Sequence, residues 1–169
     1  METSNHFTCL SYDTVDFLIP SKYVLFGIYL PEENDENRVF FENETLPHIH
    51  IGRFLEETFN CKSIQECSVM MVMNKADFAK NVQNLIESYT ETKFPASGNL
   101  AISVNSAITS KIIDIQNLKP LPAGIRAKQK KNGICAVCFL DDENNTQLQR
   151  KQILVSFDNL LLKMIGGKK

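Results

Sequence analysis

Ile49-His50-Ile51-Gly52-Arg53-Phe54-Leu55 is echoed 106 positions later by Val155-Ser156-Phe157-Asp158-Asn159-Leu160-Leu161. In both stretches an alternating apolar pattern passes without a linker into helical spacing, and a further apolar residue, Phe59 or Ile165, falls four places after the last leucine. Alternation has the period of a strand and the later spacing that of a helix, so each copy reads as a strand running straight into a short helix. A repeated strand-to-helix unit predicts two similar half-structures sharing one core, an arrangement commoner in binding scaffolds than in enzymes.

Outward from the first copy, Leu46 to Ile51 reads as a strand preceded by another over Arg38 to Phe41. Their connection, Glu42-Asn43-Glu44-Thr45, has the length and the asparagine of a tight hairpin. Phe7 to Tyr12 and Val15 to Ile19 form strands around a turn at Asp13-Thr14, the second ended by Pro20, which has no N–H to donate. Val24 to Leu30 is apolar at nearly every position, which predicts a strand covered on both faces. The acidic run from Pro31 to Glu36 reads as a solvated loop.

Ser68 to Met73 and Asn99 to Val104 look like partner strands, but their separation far exceeds a hairpin loop of about 2–5 residues. The intervening Phe78, Val82, Leu85, Ile86 and Tyr89 recur at helical spacing, predicting a helix from Ala76 to Thr90 laid across the sheet. Beyond it come a strand at Ile108 to Ile115, a proline connector at Pro120 to Gly124 and a basic loop at Arg126 to Lys131. The strand pair Ile134 to Leu140 and Gln152 to Phe157, joined by a polar loop, leads into the second short helix, Asp158 to Ile165. No βαβ alternation announces a parallel sheet, so the pattern favours small antiparallel barrels or a sandwich.

Composition narrows the function. A net charge of -2 offers no reason for nucleic-acid binding, which rests on clustered Lys and Arg against phosphate. The four cations of Arg126 to Lys131 lack interleaved aromatics and suit a solvated loop or an acidic protein partner better than RNA or DNA. Met1 to His6 is polar, without the basic start and apolar run of a secretory signal, and no apolar stretch approaches the roughly 20 residues of a membrane span. A soluble, cytoplasmic protein that does not insert into membranes is expected, with its five cysteines reduced.

Catalytic patterns are absent from the sequence. Seven glycines supply neither a phosphate-cradling loop nor a nucleophile elbow. Cys135 and Cys138 have the C-x-x-C spacing of a zinc or redox pair, but on a strand their side chains face opposite ways. His48 and His50 share a strand face yet supply only two ligands, so a partly exposed polar face or, second, a partner surface is expected rather than a metal site. Neither an enzyme nor a cofactor is predicted.

The docking candidates are Val39, Phe40, Phe41, Glu42 and Asn43. Phe40 and Phe41 are adjacent, so one faces away from the core and either anchors a partner or is covered by the helix over 76–90.

The order of these elements resembles the CheW family of chemotaxis coupling proteins. Phe17-Leu18-Ile19-Pro20 with Tyr23-Val24 resembles the family's opening strand and turn, and Leu46-Pro47-His48-Ile49-His50-Ile51-Gly52-Arg53-Phe54-Leu55 its "valine-proline-valine-isoleucine-aspartate-leucine-arginine … leucine" segment. Leu100 to Val104 with Leu118 to Pro122, and Ile153 to Leu161, are similar to its second-half strand, proline connector and closing strand-helix. The resemblance implies a mainly β fold of two small SH3-like antiparallel β-barrels packed together, with short helices and one inserted helix. A single unit over 1–169 is expected, its first barrel near 7–60 and its second over 61–165, including the inserted helix and the closing strand-helix at 152–165.

It also implies a non-catalytic adaptor bridging a chemotaxis histidine kinase and chemoreceptors, with an interaction module outside chemotaxis as the alternative. Where the family carries asparagine-leucine-arginine-glycine in its hairpin, this chain has Phe40-Phe41-Glu42-Asn43, which places Glu42 at the arginine position. His50 stands where the family has aspartate.

Overall fold

The computed structural model describes residues 6–65, 68–113, 118–120, 134–139 and 151–166. The predicted basic loop, the connector beyond Pro120, the loop over 141–149 and Cys67 lie outside the described residues. The strands are β1 (His6–Ser11), β2 (Val15–Pro20), β3 (Phe26–Tyr29), β4 (Arg38–Phe41), β5 (Glu44–His50) and β6 (Val69–Asn74), then β7 (Asn99–Val104), β8 (Ala107–Ile112), β9 (Leu118–Pro120), β10 (Ile134–Phe139) and β11 (Lys151–Val155). The helices are α1 (Gly52–Phe59), α2 (Lys80–Thr90) and α3 (Phe157–Gly166). No described helix is long and apolar enough to cross a membrane.

The strands form two sheets, of order β8-β1-β2-β11-β10-β9 and β3-β6-β7-β5-β4. We call the first barrel 1 and the second barrel 2. The middle of the chain builds barrel 2, while its first and last strands together build barrel 1. The expected division at residues 60 and 61 is therefore corrected: β1 and β2 pair with late strands, and β6 and β7 join the sheet of β3 to β5. Local periodicity reports the faces of a strand and not its neighbours, so nothing in it forbids this interleaving.

Most pairings are antiparallel, as expected, but each sheet contains one parallel pair, β5 beside β7 and β11 beside β2. Both parallel strands are the ones that open into the echoed helices. A parallel neighbour needs a crossover of roughly a dozen residues or more. The route through α1, β6 and α2 supplies it in barrel 2, and most of the chain supplies it in barrel 1.

Alternation along each strand divides the core into three clusters. Phe7, Cys9, Leu18 and Ile113, with Leu154 against them, fill barrel 1. Val39, Leu46, Met70, Val72 and Ala101 fill barrel 2. The opposite faces meet in the largest cluster, a seam that takes Leu10, Phe17, Ile19, Ile153 and Val155 from barrel 1 and Ile49, Met71, Met73, Leu100 and Ile102 from barrel 2. Each central strand is thus covered on both faces, one turned into its barrel and the other onto the neighbouring one.

The echo lies on this seam. Ile49 and Val155, Ile51 and Phe157, and Leu55 and Leu161 are all buried in the one cluster; Ile165 is buried there too, and Phe59 packs against it. Phe59 of α1 meets Phe17 of β2 edge-on at 4.9 Å between ring centres, an arrangement favoured by aromatic quadrupoles.

Strand becomes helix without a linker because Ile51 serves both. Its N–H donates to Ser103 O at 3.0 Å, continuing the sheet, and its carbonyl accepts the first helical bond from Leu55 N at 2.9 Å. Gly52 is needed at this corner, since a Cβ there would lie 2.8 Å from the His50 ring and 3.2 Å from Asn105 N.

The inserted helix starts later than its periodicity suggests. Lys75–Asp77 is a 3-10 turn in which the Asn74 side chain accepts from Ala76 N; Phe78 and Ala79 are extended, and α2 begins at Lys80. Phe78 instead turns into the seam, joined there by Val82 and Ile86. α2 packs against β5 and α3, so its apolar face covers the chain's own core.

Candidate partner-docking surface

The β4–β5 hairpin is tighter than its predicted four-residue connection. Phe41 pairs with Glu44, so only Glu42 and Asn43 form the turn, at φ 49° and 64°. Two successive left-handed residues make the turn type whose twist matches that of paired strands. Asn43 accepts that conformation readily, while Glu42 sits in it at a steric cost.

Alternation across this hairpin separates the predicted contact residues. Val39 is fully buried in barrel 2, so it supports the hairpin from inside and is corrected as a contact residue. Phe41 is half-buried on the same face, its ring 5.6 Å from that of Phe26 on β3. Phe40 points the other way and is 48% exposed, and α2 spends its apolar residues on the seam rather than covering it. Glu42 and Asn43 are exposed at the tip.

The outer edge of β4 is already occupied. Phe40 N donates to Glu33 O at 3.2 Å and Asp35 N to Arg38 O at 2.9 Å, around an isolated bridge between Asn34 and Val39. The acidic segment is thus a strap along the strand, though its side chains from Glu32 to Glu36 are exposed as expected. The Asp35 carboxylate orders the bend by accepting from Asn37 N at 2.9 Å and Arg38 N at 2.7 Å, with the Arg38 guanidinium beside it. The Asn37 and Arg38 donors hold that carboxyl below its ordinary range.

His48 pins the strap from within. It is buried, not partly exposed as expected, with Nδ1 3.0 Å from Asp35 O and Nε2 2.7 Å from Ser103 Oγ. A backbone carbonyl only accepts, so Nδ1 carries the proton, and in the neutral ring Nε2 then accepts from the Ser103 hydroxyl. Burial lowers the His48 pKa, against the smaller opposing effect of the Asp35 carbonyl. His50 is half-buried, with Nε2 3.0 Å from Asn105 Oδ1. Among the described residues no group of His, Cys, Asp and Glu is arranged to hold a metal ion.

Two described cysteines, Cys9 and Cys61, are buried free thiols, with Cys61 pushed up to about 11 by burial and by neighbouring Asp13 and Glu56. Such thiols stay protonated near neutrality and are poor nucleophiles. Cys135 and Cys138 lie on β10, as expected of strand residues.

On the other side of barrel 2 the structure overturns a prediction. The apolar run 24–30 is not covered on both faces: β3 is an edge strand, with Leu25 49%, Phe26 38% and Tyr29 74% exposed. β3 faces the edge strand of barrel 1, β8, across a groove of about 720 Å³. Gly27 permits the approach, since a Cβ there would lie 3.3 Å from Ile108 Cδ1. The groove is lined by side chains such as Val24, Phe26, Ile108 and Thr109, and none of its lining residues is charged.

Edge strands present unpaired backbone groups, and a large exposed apolar patch marks an interaction site more surely than scattered surface leucines do. Sequence reasoning missed this groove because an uninterrupted apolar run reads the same whether buried or displayed; the only local hint was Gly27 in its middle. The groove and the hairpin meet where Phe26 touches Phe41, giving one surface suited to binding a protein.

No family model matches the sequence, and no curated protein matches it. Among solved structures the chain is similar to the scaffolding protein TtCheW from Thermoanaerobacter tengcongensis, with a TM-score of 0.50, 11% identity, and coverage of 89% of this chain and 88% of that one. At this identity the likeness concerns the fold alone. The chain has a divergent CheW-like fold, mainly β, with two curled sheets and short helices.

Proposed function

We propose that the protein is a non-catalytic cytoplasmic scaffold, acting as a single CheW-like unit that joins a chemotaxis histidine kinase to chemoreceptors. The observation that carries this reading is the uncharged groove between the edge strands β3 and β8 of the two barrels, with Phe26 on its wall, continuous with the hairpin that presents Phe40, Glu42 and Asn43. Binding draws on burial of aromatic anchors, and the charge at the hairpin tip selects among partners.

The test is affinity capture of the full chain from its native cell, followed by mass spectrometry. Recovery of a histidine kinase together with a receptor supports the proposal, and their loss with Phe26→Glu ties it to the groove. Glu42→Arg is expected to change which partner is retained while leaving stability nearly unchanged; retention of the same partners in the same amounts would remove the hairpin from the site.

Glu42 also favours a second reading, an interaction module working outside chemotaxis, because it reverses the charge expected of a family member at that turn. Capture of unrelated proteins through the same groove, without kinase or receptor, would select it.

A further inference from the structure

Where the inserted segment meets the first turn of α3, the seam opens into a cavity of about 240 Å³. Ile19 of barrel 1, Met73 of barrel 2, Phe78 and Phe157 line it with buried apolar surface. Asp77, which is exposed, and Asp158, which is half-buried, complete the lining. Pockets that enclose whole small molecules start near about 300 Å³, so this one is sized for a single side chain. It is separate from the groove between β3 and β8, with which it shares no lining residue.

We infer that this cavity docks one lysine side chain of a partner protein, the apolar walls taking its aliphatic stem and Asp77 and Asp158 its ammonium. Lysine has this division, a greasy four-carbon stem under a compact charge. Arginine fits less well: its planar fork seeks both oxygens of one carboxylate, and Asp158 Oδ1 already accepts from Ala79 N at 3.1 Å. Among the described residues the lining holds these two carboxylates and no cation. Lys22 is a cation near the rim, its Nζ 4.9 Å from the ring centre of Tyr23, which also lines the cavity.

The test uses the full chain with methyl-labelled methionine, titrated with Nα-acetyl-lysine methylamide and, in parallel, with the norleucine and arginine analogues. The Met73 methyl resonance is expected to shift saturably with the lysine probe, which binds about tenfold or more tightly than norleucine, the worth of a charge-assisted contact. Asp77→Asn combined with Asp158→Asn, which keeps an acceptor for Ala79 N, is expected to abolish that preference with an unchanged far-UV spectrum. Equal binding of lysine and norleucine, a stronger response to arginine, a silent Met73, or an unaffected double variant would each overturn the assignment. Asp77→Asn alone, at an exposed site, supplies the same readout should the double variant fail to fold.

Discussion

Barrels 1 and 2 follow one plan with their polarity exchanged. Two successive inward positions on the strand before each echoed helix are Leu46 and His48 in barrel 2, and Gln152 and Leu154 at the corresponding places in barrel 1. On this strand each barrel therefore turns one polar side chain inward, at opposite ends of the same stretch. His48 is held by Ser103 and the strap carbonyl of Asp35. Gln152 Nε2 reaches the buried Asp16 carboxylate at 3.5 Å, which also pairs with Lys111 of β8 at 3.1 Å. In both cases a buried polar group ties a peripheral segment to the interior, the strap in one barrel and the edge strand in the other. The comparison teaches that a small barrel can give up an apolar position where the polar replacement fastens an edge, though not equally well. Both ring nitrogens of His48 have partners, whereas Gln152 is bonded through Nε2 and its Oε1 is buried without one among the described residues.

The seam common to both barrels gives the largest expected effect. Phe17→Ala removes a fully buried ring that touches Tyr12 and Phe59, and should lower stability by about 3–5 kcal/mol in a urea melt. Because Phe59 belongs to the corner of the other barrel, the loss should appear in one cooperative transition; two separated transitions would break the idea of a shared core.

Giving barrel 2 the leucine that barrel 1 carries at the matching place sharpens the contrast. His48→Leu leaves Ser103 Oγ and the Asp35 carbonyl without their partner and should cost about 2–4 kcal/mol, part of it recovered by adding Ser103→Ala. The same residue sets a pH dependence. Its folded pKa lies below the ordinary 6.5, so the unfolded chain takes up the proton first as pH falls. The His48 contribution is intact above about 6.5 and declines below it until the folded pKa is passed. A stability profile that keeps its slope near pH 6 in His48→Gln would assign that slope elsewhere.

Smaller effects belong to the hairpin, whose counterpart loop in barrel 1 lies outside the described residues. Glu42→Gly relieves a left-handed residue and should raise stability by about 1 kcal/mol, read as a higher denaturation midpoint. Phe40→Ser, on the exposed face, should change stability by no more than about 0.5 kcal/mol while weakening partner capture. A larger loss of stability would mean that Phe40 is structural.

Much of this plan was legible in the residues. Alternation located nearly every described strand to within a residue or two, and the echo anticipated the two corners because Ile51 and Phe157 must satisfy strand and helix spacing at once. The β6–β7 pairing was readable across a long insertion because both partners are apolar on successive positions.

What stayed hidden concerns neighbours. Val24 to Leu30 looked interior, yet it borders a groove, since composition does not say which strand ends a sheet. Val39 looked available but points inward, because the hairpin turns on two residues rather than four. His48 looked like surface until the strap closed over it, a contact 13 residues distant that no local pattern encodes.

The parallel contact of β2 with β11 also orders events during synthesis. All strands of barrel 2 are synthesised before β8, so that half can close while the rest of barrel 1 is still being made. The β1–β2 hairpin, translated first, must wait for the last strand before its own sheet is complete. Until then β2 presents an edge without its parallel neighbour, and Leu18 lacks the cover of Leu154.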